Sequence, residues 1–145
     1  MSEQTAERGR VLAIDDEQAF LEMYQDLLSA EGYQVETAQS YAGALQQLDR
    51  GGWSVVLVDL QLRGCGGPDL GLELIAEARH RAPDAEVILV SALASVTAIE
   101  RALSAGACDY LEKDLNFEST LRAKVRKAMH RRAVIAASEP KDDAR

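Results

Sequence analysis

Long hydrophobic runs are missing from this chain of 145 residues. No apolar stretch approaches the roughly 20 residues that a membrane-spanning helix needs. The first ten residues, Met1 to Arg10, are polar and lack a signal-peptide core. Cysteine is scarce: Cys65 and Cys108 are the only two, with no metal-ligand spacing. A reduced, cytoplasmic setting is therefore expected. Positive charge is short too. Sixteen Lys and Arg against 24 Asp and Glu leave a net charge of −8, which argues against general affinity for nucleic acid or anionic membrane. The glycine-rich segment 64–71 is no nucleotide P-loop, because no Gly-Lys-Ser/Thr follows it. Nor does a hydroxyl-rich phosphate loop follow the first apolar run, as a flavin carrier would require. There is no internal repeat or low-complexity segment.

What is present is an alternation. Short β-branched runs at 11–14, 34–38, 54–58, 86–91 and 108–111 predict strands. The third and fourth are almost wholly apolar, as strands covered on both faces should be. Helical spacing predicts helices over 17–31, 41–50, 70–81, 95–105 and 117–135. The first of these places Phe20, Met23, Tyr24, Leu27 and Leu28 on one face. Gly32, Gly51-Gly52, Pro83 and Gly106 read as helix stops, and Ser40 and Ser95 as N-caps. Strands alternating with helices imply an α/β fold, a doubly wound five-stranded parallel sheet covered on both sides. The order 2-1-3-4-5 is the common solution for this count. One domain over 10–135 is expected, with a flexible N-terminal extension at 1–9. Residues 136–145 read as a flexible tail or the start of a linker.

In that order strands 1 and 3 are neighbours, and the crevice at their C-terminal ends collects the acids. Asp15 and Asp16 end the first run and Asp59 ends the third. Carboxylates that meet repel each other and call for a cation. Asp16 and Asp59 offer hard oxygens suited to Mg²⁺. Asp15 would hold a metal-bound water or orient the site, and the backbone carbonyl of Gln61 would complete the protein ligands. Asp59 would attack phosphorus and become an aspartyl phosphate. Ser91 and Lys113, at the ends of strands 4 and 5, would donate to the phosphoryl group.

The residues that match a known pattern are Ile14-Asp15-Asp16-Glu17, Val58-Asp59-Leu60, Val90-Ser91-Ala92 and Gly106-Ala107-Cys108-Asp109-Tyr110-Leu111-Glu112-Lys113. Over about residues 10–132 the chain resembles the receiver domains of two-component response regulators, which have a flavodoxin-like fold with five helices. The resemblance implies Asp59 as the phosphoacceptor. It implies Asp15, Asp16, Asp59 and the Gln61 carbonyl around Mg²⁺ or Mn²⁺. Ser91, Ala92 and Lys113 would bind the phosphoryl group, and Ser91 with Tyr110 would form the switch. The donor would be a histidine kinase or a histidine phosphotransfer domain. The output would be a helix 4–strand 5–helix 5 surface facing a downstream partner or a second copy, with no direct nucleic-acid or membrane binding. Such a domain is a phosphoacceptor rather than an enzyme in its own right, although it catalyses its own phosphotransfer and slow dephosphorylation. The alternative is a degenerate receiver serving as a phosphorylation-independent scaffold.

Two departures stand out. The family commonly has proline at the positions of Arg63 and Asp114, and without proline at 114 a cis bond after Lys113 is disfavoured. The segment 63–71 is a few residues longer than usual. Cys65 reads as a plain free cysteine, Cys108 as a small core residue, His80 and His130 as surface residues, and Trp53 as packing at the entrance to strand 3. The last helix is basic, with Arg122, Lys124, Arg126, Lys127, Arg131 and Arg132. Those charges read equally well as a solvated face and as a partner surface.

Overall fold

Each apolar run forms a strand because both of its faces find cover. In this computed structural model the described residues are 9–62, 70–92 and 95–138, with side chains described through 135. The expectations for Arg63, Cys65, the longer loop and the two chain ends fall wholly or largely outside them. The elements are β1 (Arg10–Ile14), α1 (Gln18–Ala30), β2 (Gln34–Ala38), α2 (Tyr41–Arg50), β3 (Val55–Asp59), α3 (Leu70–Arg81), β4 (Glu86–Ser91), α4 (Val96–Ala105), β5 (Asp109–Glu112) and α5 (Phe117–Ser138). All strand pairs are parallel and the order is β2-β1-β3-β4-β5. This is the doubly wound α/β sheet expected.

Alternation along the strands splits the core in two. Leu12, Ile14, Val56, Val58, Val87 and Leu89 meet Ala44 and Leu48 of α2, Leu74, Ile75 and Ala78 of α3, and Ala102 of α4. Val11, Ala13, Val55, Leu57, Ile88 and Val90 meet Leu21, Tyr24 and Leu28 of α1 and Leu121, Val125 and Ala128 of α5. Val55, Val56, Leu57 and Val58 are wholly buried, and burial of each such side chain contributes about 1.5–3 kcal/mol. Ser40 caps α2 by accepting from Gly43 N–H at 3.0 Å, and Ser95 caps α4 by accepting from Ala98 N–H at 3.1 Å. Gly106 ends α4 with a φ of 122°, a left-handed conformation that favours glycine.

The structure moves some boundaries. β3 begins and ends one residue later than the pattern predicts, so Asp59 is a strand residue paired with Val90. β5 is also one residue later. Cys108 therefore precedes the strand and is exposed, not a core residue. Its Sγ lies 3.2 Å from Arg131 Nη2. The buried stripe of α1 is Leu21, Tyr24 and Leu28, whereas Phe20, Met23 and Leu27 are only partly buried at its edge. Trp53 is buried just before β3, its indole N–H donating to Gln47 O at 2.8 Å. His80 and His130 are exposed. Among the described residues there is no cis peptide bond, and no helix is long and apolar enough to cross a membrane.

Candidate functional site

The parallel sheet aims the ends of β1, β3, β4 and β5 at one crevice. Beyond β1 the ladder continues for one bond, Asp15 N–H to Ala38 O at 3.1 Å, which fixes the Asp15 backbone. Its side chain is wholly buried. Asp15 Oδ1 accepts from Glu17 N–H at 2.9 Å. Oδ2 lies 2.9 Å from Lys113 Nζ, an ion pair, yet among the described residues no well-aligned hydrogen-bond donor reaches it. Asp59, at the end of β3, is 3% exposed. Its Oδ1 accepts from Gln61 N–H at 3.1 Å, and its Oδ2 lies 3.7 Å from Lys113 Nζ. The turn after it is held by Leu60 N–H to Val90 O at 2.7 Å and Leu62 N–H to Asp59 O at 3.2 Å. Asp15, Asp16 and Asp59 each offer one carboxylate oxygen, and these three atoms lie within 4.8 Å of one another. Hard oxygens at that spacing, one of them buried without an aligned donor, fit a hard divalent cation.

The electrostatics follow from this crowding. Burial first, then the Asp15 charge, pushes the Asp59 carboxyl up to about 6, and Asp16 adds to the push. Lys113 and the Gln61 amide oppose it without cancelling it. Burial pulls the Lys113 ammonium down, but the close contact with the Asp15 carboxylate and the charges of Asp59 and Glu17 outweigh that and leave its pKa raised. The same acids reach Tyr24, whose hydroxyl is raised well above its ordinary value, chiefly by burial and then by Asp15, Asp59 and Glu17.

Two further strands complete the crevice. Lys113 N–H donates to Ser91 O at 2.9 Å, tying the ends of β4 and β5 together. Ser91 is wholly buried. Its hydroxyl and the Ala92 N–H both meet Gln61 Oε1, at 3.4 and 3.2 Å. Asp15, Asp16, Asp59, Gln61, Ser91, Ala92 and Lys113 thus come together as their strand-end positions suggest. Tyr110, three residues before Lys113, is 38% exposed, with Lys124 Nζ 5.3 Å from the ring centroid.

Sequence reasoning missed three contributors. Glu17 places Oε1 3.5 Å from Lys113 Nζ. The Gln61 side chain covers the two donors at the end of β4. Phe20 lies under Lys113, with Nζ 4.0 Å from the ring centroid. The available signal was position: Phe20 follows Asp16 by four residues, in the first turn of α1. The basic helix is also clarified. Lys124 pairs with Asp109 at 2.8 Å, Arg126 with Glu31 at 3.2 Å and Arg131 with Glu86 at 3.0 Å. Arg132 Nε donates to Asp84 O at 2.6 Å. Much of its charge is engaged within the domain.

Known proteins share this fold. Residues 11–126 match the family described as response regulator receiver domain. The chain is 37% identical over 142 residues to the alginate biosynthesis transcriptional regulatory protein AlgB of Pseudomonas aeruginosa, covering 97% of this chain and 30% of that protein. It spans less than a third of the length of the AlgB relatives it matches (23–30%). A receiver domain protein (CheY-like) from Methanospirillum hungatei superposes with a TM-score of 0.78 at 28% identity, covering 86% of this chain and 96% of that one. A response regulator protein from Burkholderia pseudomallei, solved with a phosphorylated aspartic acid, calcium ion and citrate, gives a TM-score of 0.72 at 32% identity, covering 91% and 75%. From that match along most of its length, and from the fold it shares with such proteins, the chain belongs to the receiver domains of response regulators, the family of two-component signalling.

Proposed function

We propose that this domain accepts a phosphoryl group on Asp59 from a phosphohistidine of a sensor kinase or phosphotransfer domain. The observation that carries the reading is the meeting of Asp59 with Asp15, Asp16 and Lys113 in one crevice. The Burkholderia pseudomallei protein, solved with a phosphorylated aspartic acid and a calcium ion, supports it. An Asp59 carboxylate oxygen attacks phosphorus, the P–N bond to the imidazole breaks, and an acyl phosphate forms. Asp15, Asp16, Asp59 and the Gln61 carbonyl would hold Mg²⁺ (or Mn²⁺), which would supply charge neutralisation for the transfer. Lys113 offers a second positive charge. Ser91 and the Ala92 N–H donate to the phosphoryl oxygens, which requires the Gln61 side chain to leave them.

As the Ser91 hydroxyl turns to the phosphoryl group, Tyr110 follows inward from its exposed position. The change shifts an equilibrium of the α4–β5–α5 face. That face carries Val96 at 71% and Leu103 at 45% exposure, apolar surface that a downstream partner or a second copy would cover. The setting is the cytoplasm, where a sensor kinase presents its phosphohistidine. Incubation with Mg²⁺ and acetyl phosphate, followed by intact-mass measurement, tests the reading. One phosphoryl group is expected on the wild type and none on Asp59→Asn or with EDTA. No gain on the wild type, or equal gain on Asp59→Asn, would overturn it.

A further inference from the structure

Lys113 faces a problem that its ion pairs do not solve. Its side chain is 9% exposed, and its ammonium is closest to Asp15 at 2.9 Å, with Glu17 at 3.5 Å and Asp59 at 3.7 Å. The tightest pair therefore draws it away from the acceptor. Carboxylates that share their charge with a cation also hold an ammonium less tightly. A steady anchor has to be something other than an acid.

We propose that Phe20 is a positioning residue for Lys113, its ring face holding the ammonium beside Asp59 whatever the charge state of the three carboxylates. This inference rests on the phosphoacceptor reading given above. The Nζ lies 4.0 Å from the ring centroid, well inside the range of a cation–π contact. Phe20 lies outside the buried stripe of α1 and packs, partly buried, at the edge of the core, with its ring face toward the Lys113 ammonium. The ring is itself held in place. Phe117 meets it edge-on at 5.5 Å and 82°, and Tyr24 lies 6.3 Å away at 49°. Tyr24 and Phe117 also contact each other at 6.1 Å and are 1% and 5% exposed. Phe117 opens α5 four residues after Lys113. One aromatic cluster thus pins both ends of the segment that carries the lysine. An aromatic face attracts the ammonium without being titratable and without competing for the metal.

Progressively fluorinated phenylalanines at position 20 test this, because fluorine drains the ring's negative face while changing its shape little. The acetyl phosphate reaction rate at Asp59 with Mg²⁺ is expected to fall stepwise with fluorination, by about 2- to 30-fold in all. Phe20→Tyr retains the rate and Phe20→Leu loses it, at matched melting temperature. The Lys113 ¹³Cε resonance, read without phosphodonor or metal, is expected to move in step with fluorination. A rate indifferent to fluorination, or full activity of Phe20→Leu, overturns the positioning role. A resonance that does not move overturns the contact. A wild type that takes no phosphoryl group would instead sink the phosphoacceptor reading, and the resonance would still decide whether the ring holds the lysine.

Discussion

Asp59 keeps its proton to about pH 6, against 3.8 for an ordinary aspartate. That makes its charge a cost to the metal-free fold. The folded state binds the proton more tightly than the unfolded chain does. This residue's contribution therefore favours folding below about pH 4 and is lost as the pH rises from 4 to 6. Without metal, Asp59→Asn should be more stable than wild type by on the order of 2 kcal/mol at pH 7. The gain should vanish near pH 4, as urea titrations in EDTA would show. Adding Mg²⁺ should narrow the gap at pH 7 by stabilising the wild type selectively. The three acids were legible at this scale because each follows an apolar run, where an unshared charge is expensive. Phe20 and the Gln61 side chain were not. Their roles depend on where a ring face and an amide point, which neighbouring elements decide.

At the scale of elements, local chemistry and tertiary contact pull against each other at Gly71. Glycine inside a helix usually costs about 0.5–1 kcal/mol relative to alanine. Here a Cβ would come within 2.6 Å of Leu60 O and 2.8 Å of Asp59 O, both backbone atoms that cannot turn aside. Overpacking of that kind costs roughly 1–3 kcal/mol, so the clash outweighs the propensity. Gly71→Ala should lower the melting temperature and slow phosphorylation, because α3 would push on the acceptor's own turn. A higher melting temperature would show that α3 yields instead. The Ser95 cap makes the opposite case: Ser95→Ala removes a local bond and should cost about 1 kcal/mol in urea unfolding. Caps such as this are readable from sequence because the hydrogen bond spans only three residues. The one-residue shifts of β3 and β5 were not, since strand ends are set by the neighbour in the ladder. Cys108 fell outside the core for that reason.

For the whole molecule, the alternation of runs made the sheet and its crevice legible, because few topologies join parallel strands through right-handed crossovers. The use of α5's charge was not legible. Its partners are far away in sequence: Glu31 lies 95 residues from Arg126 and Glu86 lies 45 residues from Arg131. The same long-range frame has a consequence at β3. Asp59 is a paired residue of a wholly buried strand, and the ladder runs one bond past it through Leu60 N–H. Amides of such a strand exchange with deuterium only when the entire domain opens. Phosphorylation would therefore register in β1, β3 and β4 as one common change in protection, equal to the change in global stability. Amides of α4 and β5 would depart from that common value, and the size of the departure would measure how far the modification is felt at the surface.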